Sequence, residues 1–182
     1  MLDPVRELKV RAEVLHHLLT DTHTIELSAL ERLRVLPEHR KATPEALAQA
    51  AATLQRKHCL AVVGREAGFS GWEHAKRVLE GDAAEADFGK LLYGAGRSAF
   101  LNHWLATYDE ARAVHADLLA AGERRYLLAY QKQFFISEAD YIESLGLDPN
   151  DPDWTAIGWD WVKPRSMAAR ARLYAKLLTP RA

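Results

Sequence analysis

Three side chains in the second half of the chain could do acid–base chemistry if the fold brought them together. His103 lies in Asn102-His103-Trp104, while Tyr130 and Lys132 open Tyr130-Gln131-Lys132-Gln133. Read as strands, both segments set polar groups among large apolar ones. The two-residue period then puts Lys132 on the same face as Tyr130 and Phe134. Such a setting lowers a lysine pKa, and His103, Tyr130 and Lys132 would serve as acid, base or anion holder. The competing reading has Lys132 reaching solvent along its stem and His103 making one satisfied hydrogen bond. That second reading is favoured, so an enzyme is the alternative and not the first expectation.

Other residues have the chemistry for holding a ligand. Trp104, Trp159 and Trp161 offer large aromatic faces for a planar molecule, and Trp154 lies close by in sequence. Asp148, Asp151, Asp153 and Asp160 surround the last three tryptophans and would repel a phosphate backbone. Tyr93-Gly-Ala-Gly-Arg97-Ser98 has the makings of a small anion nest, with Arg97 as its charge. It lacks the glycine count of a phosphate-binding loop or a dinucleotide fingerprint. His16, His17, His23 and Asp21 crowd one helix end, yet no His-Glu-x-x-His or paired-cysteine spacing accompanies them, so no metal and no cofactor are assigned.

The elements that must position these groups are mostly helices. Asp3-Pro4 starts the first, whose Val5, Leu8, Ala12, Leu15 and Leu19 form one apolar stripe. Ser28 with Glu31 reads as a capping box, and Thr43-Pro44-Glu45 opens an alanine-rich helix that continues or breaks near Thr53. Residues 56–81 then read as a helix, a turn at Gly68-Phe69-Ser70, and a second helix closed by Gly81. Ser70 and Glu73 are the expected capping box of that second helix.

After Asp82 the texture changes to small, acidic and glycine-rich residues. The expected organisation is therefore an all-helical domain over 1–81, a linker over 82–97, and an α+β domain over 98–182. Within the last, 98–106 reads as a strand, and Thr107 with Glu110 caps a helix ending at Gly122. Strand and helix compete over 125–136, with strand favoured. Ser137 caps a helix to Leu145, and Ser166 caps a final basic helix. The fold class is mainly α: a helical N-terminal subdomain followed by a smaller α+β C-terminal subdomain.

The stretch 56–81 resembles a short helical module of uncharacterised bacterial proteins, with a pattern near L-A-R-x-x-G-F-x-S/D-W-x-x-L-K. The residues that carry the likeness are Leu60, Ala61, Arg65, Gly68, Phe69, Trp72 and Lys76. Gly71 before the tryptophan and Ala75 in place of leucine depart from it. Such modules occur ahead of ankyrin repeats and beside glyoxalase-like domains. The resemblance implies a bacterial source and a packed helical hairpin, and it carries over no catalytic residue.

Composition narrows the classes further. The chain has 182 residues, a formal net charge of −1 and one cysteine. Residues 1–81 hold twelve Lys or Arg against eleven Asp or Glu, which gives no basic face for a nucleic-acid backbone. A DNA-reading second helix would have to use Glu73, His74, Lys76 and Arg77, with Trp72 in an awkward early position. No apolar run approaches a membrane span. Cys59 opens an apolar run and reads as a small buried hydrophobe, which suits a reducing cytoplasm. The first expectation is thus a non-catalytic binding or regulatory protein of the bacterial cytoplasm with a small-molecule or protein partner. Membrane and nucleic acid are disfavoured, and a homodimer is left open.

Overall fold

A computed structural model describes residues 3–20, 26–93 and 99–179. It is mainly α, with one small antiparallel sheet of three strands. The chain divides into two compact units, one of Val5–Lys76 and one of Met1–Pro4 with Arg77–Ala182.

The N-terminal unit is built from α1 (Pro4–Thr20), α2 (Leu27–Arg32), two short 3-10 turns, α3 (Pro44–Ala51), α4 (Arg56–Glu66) and the first turn of α5 (Trp72–Glu80). The stripe Val5, Leu8, Ala12, Leu15 and Leu19 is buried, as the spacing predicts. Thr43 accepts the Ala46 N–H and Pro44 takes the first helical position, so α3 begins as expected. It breaks at Ala52–Leu54, and Gln55 starts α4 with its N–H donating to His58 Nδ1 at 3.0 Å. Buried Cys59 follows, and burial pushes its thiol pKa up, away from the reactive thiolate.

Three expected caps are replaced, one of them Ser137, which lies in the sheet while Glu138, with no side-chain cap bond, starts the helix to Leu145. Glu26, not Ser28, stands at the start of α2; Ser28 Oγ bonds Glu26, while Glu31 pairs with Arg34. At the central turn the Ser70 N–H donates to His74 Nδ1 at 3.0 Å, in the place expected of Glu73. An imidazole nitrogen one residue further along reaches back as well as a glutamate carboxylate would. Gly68, at φ 87°, makes the left-handed turn, and the Phe69 N–H closes it onto the Gly64 carbonyl.

The hairpin of α4 and α5 depends on a close backbone approach. A Cβ on Gly64 would stand 3.0 Å from the carbonyl carbon and oxygen of Gly71 and 3.1 Å from the Trp72 nitrogen. Backbone cannot step aside as a side-chain tip can, so Gly64→Ala is expected to destabilise by about 1–2 kcal/mol, despite alanine's better helix propensity. A chemical-denaturation midpoint equal to or above the parent's would contradict this.

The C-terminal unit holds the sheet. β1 (His103–Leu105) and β2 (Tyr126–Tyr130) flank β3 (Gln133–Ser137), in the order β1-β3-β2. The segment expected as one strand over 125–136 is thus two strands, joined at Gln131-Lys132, with Gln131 at φ 53°. The strand expected over 98–106 is shorter, at His103–Leu105. α6 (Tyr108–Ala120) starts with the expected Thr107–Glu110 box and packs on one sheet face. Its Ala111, Val114 and Leu118 meet Leu127, Ala129, Phe134 and Ile136. The other face carries a ring cluster in which Tyr93 contacts Trp104, Tyr130 and Phe135, with centroids 5.0–5.7 Å apart.

α7 (Ala139–Leu145), α8 (Pro152–Ile157) and α9 (Met167–Leu178) complete this unit. Residues 159–161 run beside β2, where the Leu127 N–H donates to the Trp159 carbonyl and the Trp161 N–H to the Leu127 carbonyl. They cover a strand edge that would otherwise be left unpaired. The described part of the 82–97 stretch packs against the sheet: the Phe88 N–H donates to the Gln131 carbonyl, the Gln131 N–H donates to the Gly89 carbonyl, and Leu92 is buried.

Candidate functional site

A concavity lies in the C-terminal unit, on the α6 side of the sheet. The end of α5 turns at Gly81, whose φ of 77° favours glycine, and the tips of Met167 and Arg170 from α9 lie close over it. The following 82–88 segment, the segment 162–164 and the start of α9 then enclose a cavity of about 440 Å³. Phe88, Phe134, Val78, Val162 and Met167 give it an apolar lining. Phe88 and Phe134 meet edge to face at 6.3 Å.

Its polar groups are already committed. Tyr108 donates its hydroxyl to Asp160 Oδ2 at 2.7 Å. Burial, and then that carboxylate, push the phenol well above its ordinary pKa, so it stays protonated and cannot act as a base. Arg170 is buried, and its Nη1 donates to the carbonyls of Trp161 and Val162. Asp82 accepts the Ala84 N–H, and Glu85 pairs with Arg77 at 2.8 Å. Lys163 lies over the Tyr108 ring, 4.3 Å from its centroid. The arrangement can bind an apolar molecule and orient it. It offers no nucleophile beside a base.

The residues singled out from sequence lie elsewhere. His103 is exposed and pairs with Ile136, which places it on the α6 face of the sheet. Tyr130 is on the opposite face with Trp104, and Lys132 is exposed in the two-residue hairpin turn. The shared strand face assumed for Tyr130, Lys132 and Phe134 does not exist, because the chain reverses at Lys132. His103, Tyr130 and Lys132 are therefore not brought together.

Trp104 is 38% exposed and stacks on Phe135 at 4.7 Å. Trp161 is fully buried between Trp154 and Tyr174 and presents no face to a ligand. Trp159 is half-buried, at φ 55°. Arg97 and the 94–98 part of the nest lie outside the described residues, as do Asp21 and His23. Among the described residues there is no group of three or more His, Cys, Asp or Glu side chains placed to hold a metal ion. On α5, His74 is buried and Arg77 is paired, which leaves little of the expected base-reading set.

The cavity could not be read from local sequence because its walls come from four separate stretches, 78–88, Tyr108, Phe134 and 162–170. The chain matches no protein-family model, no curated protein and no solved structure. Among the described residues, no helix is long and apolar enough to cross a membrane.

Proposed function

We propose that this chain is a non-catalytic binding protein of the bacterial cytoplasm, whose ligand is a small, largely apolar molecule held in the C-terminal cavity. The observation that carries the reading is the 440 Å³ apolar concavity with every neighbouring acid and phenol tied to a structural partner. Its size falls within the range of small-molecule sites, and a few fixed polar groups amid apolar walls suit orientation over turnover. The helical module that residues 56–81 resemble is consistent with this, since it packs and has no chemistry of its own.

The test is titration with N-phenyl-1-naphthylamine, an uncharged fluorophore that brightens in apolar surroundings. Saturable binding is expected at one site per chain. Ala86→Trp, at the exposed rim, should fill the cavity and weaken it by about tenfold or more, because the apolar contact area is lost. Circular dichroism would show that this variant folds. Unsaturable binding, or equal affinity in a folded Ala86→Trp protein, would reject the reading.

A further inference from the structure

A second concavity of about 250 Å³ adjoins the first, sharing Tyr108 and Lys163 with it, and its chemistry is different. Arg112 from α6 and Lys163 and Arg165 from the segment before α9 all line it. None of these three cations is paired with a carboxylate among the described residues. The three cations of α9 are spent: Arg172 and Lys176 pair with Asp153 and Asp151, and Arg170 binds carbonyls. Arg112, Lys163 and Arg165 are all exposed, and what sets them apart is that they line one hollow.

Arg165 lies against a helix end. Gly158, at φ 70°, ends α8, and a Cβ there would stand 3.0 Å from Arg165 Nε and 3.2 Å from its Cδ. Glycine therefore lets the Arg165 side chain lie down across the helix end, where its own N–H donates to the Ile157 carbonyl at 3.3 Å. Lys163 is held over the Tyr108 ring. Buried His115 lines the inner wall, and its Nε2–H donates to the Arg125 carbonyl at 2.9 Å.

One carboxylate, Asp160, also faces the hollow. Its oxygens accept the Tyr108 hydroxyl and the N–H groups of Val162 and Lys163 at 2.7–3.0 Å. Three donors spread its charge, and three cations against one carboxylate leave the hollow positive.

We infer that Arg112, Lys163 and Arg165 form a binding site for a phosphoryl group. Two guanidinium groups and an ammonium around one hollow suit a small tetrahedral dianion, which accepts from several donors at once. The site does not depend on the apolar cavity being filled, so either can fail alone.

The experiment is an amide NMR titration of the full chain with inorganic phosphate, at constant ionic strength so that screening is held fixed. Saturable shifts are expected at Arg112, Gly158, Lys163 and Arg165 below about 20 mM, the weak affinity of an anion with few contacts. Arg112→Gln with Arg165→Gln should weaken binding by about tenfold or more, since charge-assisted hydrogen bonds are lost. Lys41→Gln, in the N-terminal unit, should leave it unchanged. Linear shifts without saturation, shifts centred on other residues, or undiminished affinity in the double variant would each overturn the assignment. The wild-type shift map answers the question even if the double variant does not fold.

Discussion

Trp154→Ala is expected to cost about 3–5 kcal/mol of stability, the range for removing a large aromatic side chain from a packed interior. Trp154 is fully buried on α8 and is the middle of a chain of rings. Tyr126 of β2 meets it at 4.8 Å, Trp161 meets it at 5.4 Å, and Trp161 in turn meets Tyr174 of α9 at 4.8 Å. One side chain thus joins the sheet, the segment beside its edge and the last helix. Its Nε1–H also donates to the Asp148 carbonyl at 3.0 Å, and alanine would leave that acceptor with the Asp151 N–H alone. The neighbours are fixed by their own bonds, among them Tyr126 Oη to the Pro149 carbonyl at 2.8 Å, so little collapse into the void is expected. Urea unfolding followed by circular dichroism measures the loss. A change below about 1 kcal/mol would mean that the site relaxes freely, against the close packing of interiors.

The elements that were legible in the sequence are those whose signals are local. Thr43-Pro44, Thr107 with Glu110, and Ser166 each satisfy backbone N–H groups a turn away, so spacing alone places their helices. The ambiguous cases had two local candidates. Ser28 lies two residues from Glu26 and is used to bond it, and His74 competes successfully with Glu73 for the Ser70 N–H. The hairpin turn was invisible for a plainer reason. Gln131 takes a positive φ with no glycine, asparagine or aspartate to announce it, and the two strands blend into one apolar run. That miss shaped the candidate site, since the expected grouping of Tyr130 with Lys132 assumed a continuous strand. The apolar cavity was beyond local reading altogether. Phe88, Phe134 and Met167 become neighbours of one space only through sheet register and the approach of α9 at Gly81.

The acidic start of α8 gives the second large effect, and it depends on pH. Asp153 is nearly buried and receives Arg172 Nε at 3.1 Å and Lys176 Nζ at 3.0 Å, while Lys176 also reaches Asp151. These four charges tie the start of α8 to α9, and Asp153 also sits in the first turn of α8, where the helix dipole favours an anion. Asp153→Ala should lower stability by about 2–3 kcal/mol at neutral pH: less than a wholly buried pair, because Arg172 and Lys176 reach solvent once released. The Arg172 hydrogen bonds, and then Lys176, hold the Asp153 carboxyl below its ordinary 3.8. Between the two values the unfolded chain binds the extra proton, so this contribution is complete above 3.8 and fades as pH falls through the folded value. The stability gap between parent and Asp153→Asn should therefore be widest near neutrality and close in acid, with the parent losing stability faster on acidification. Urea midpoints for both proteins across the acid range would show it. A gap that stays constant with pH would mean that Asp153 contributes shape or helix capping, with its charge irrelevant.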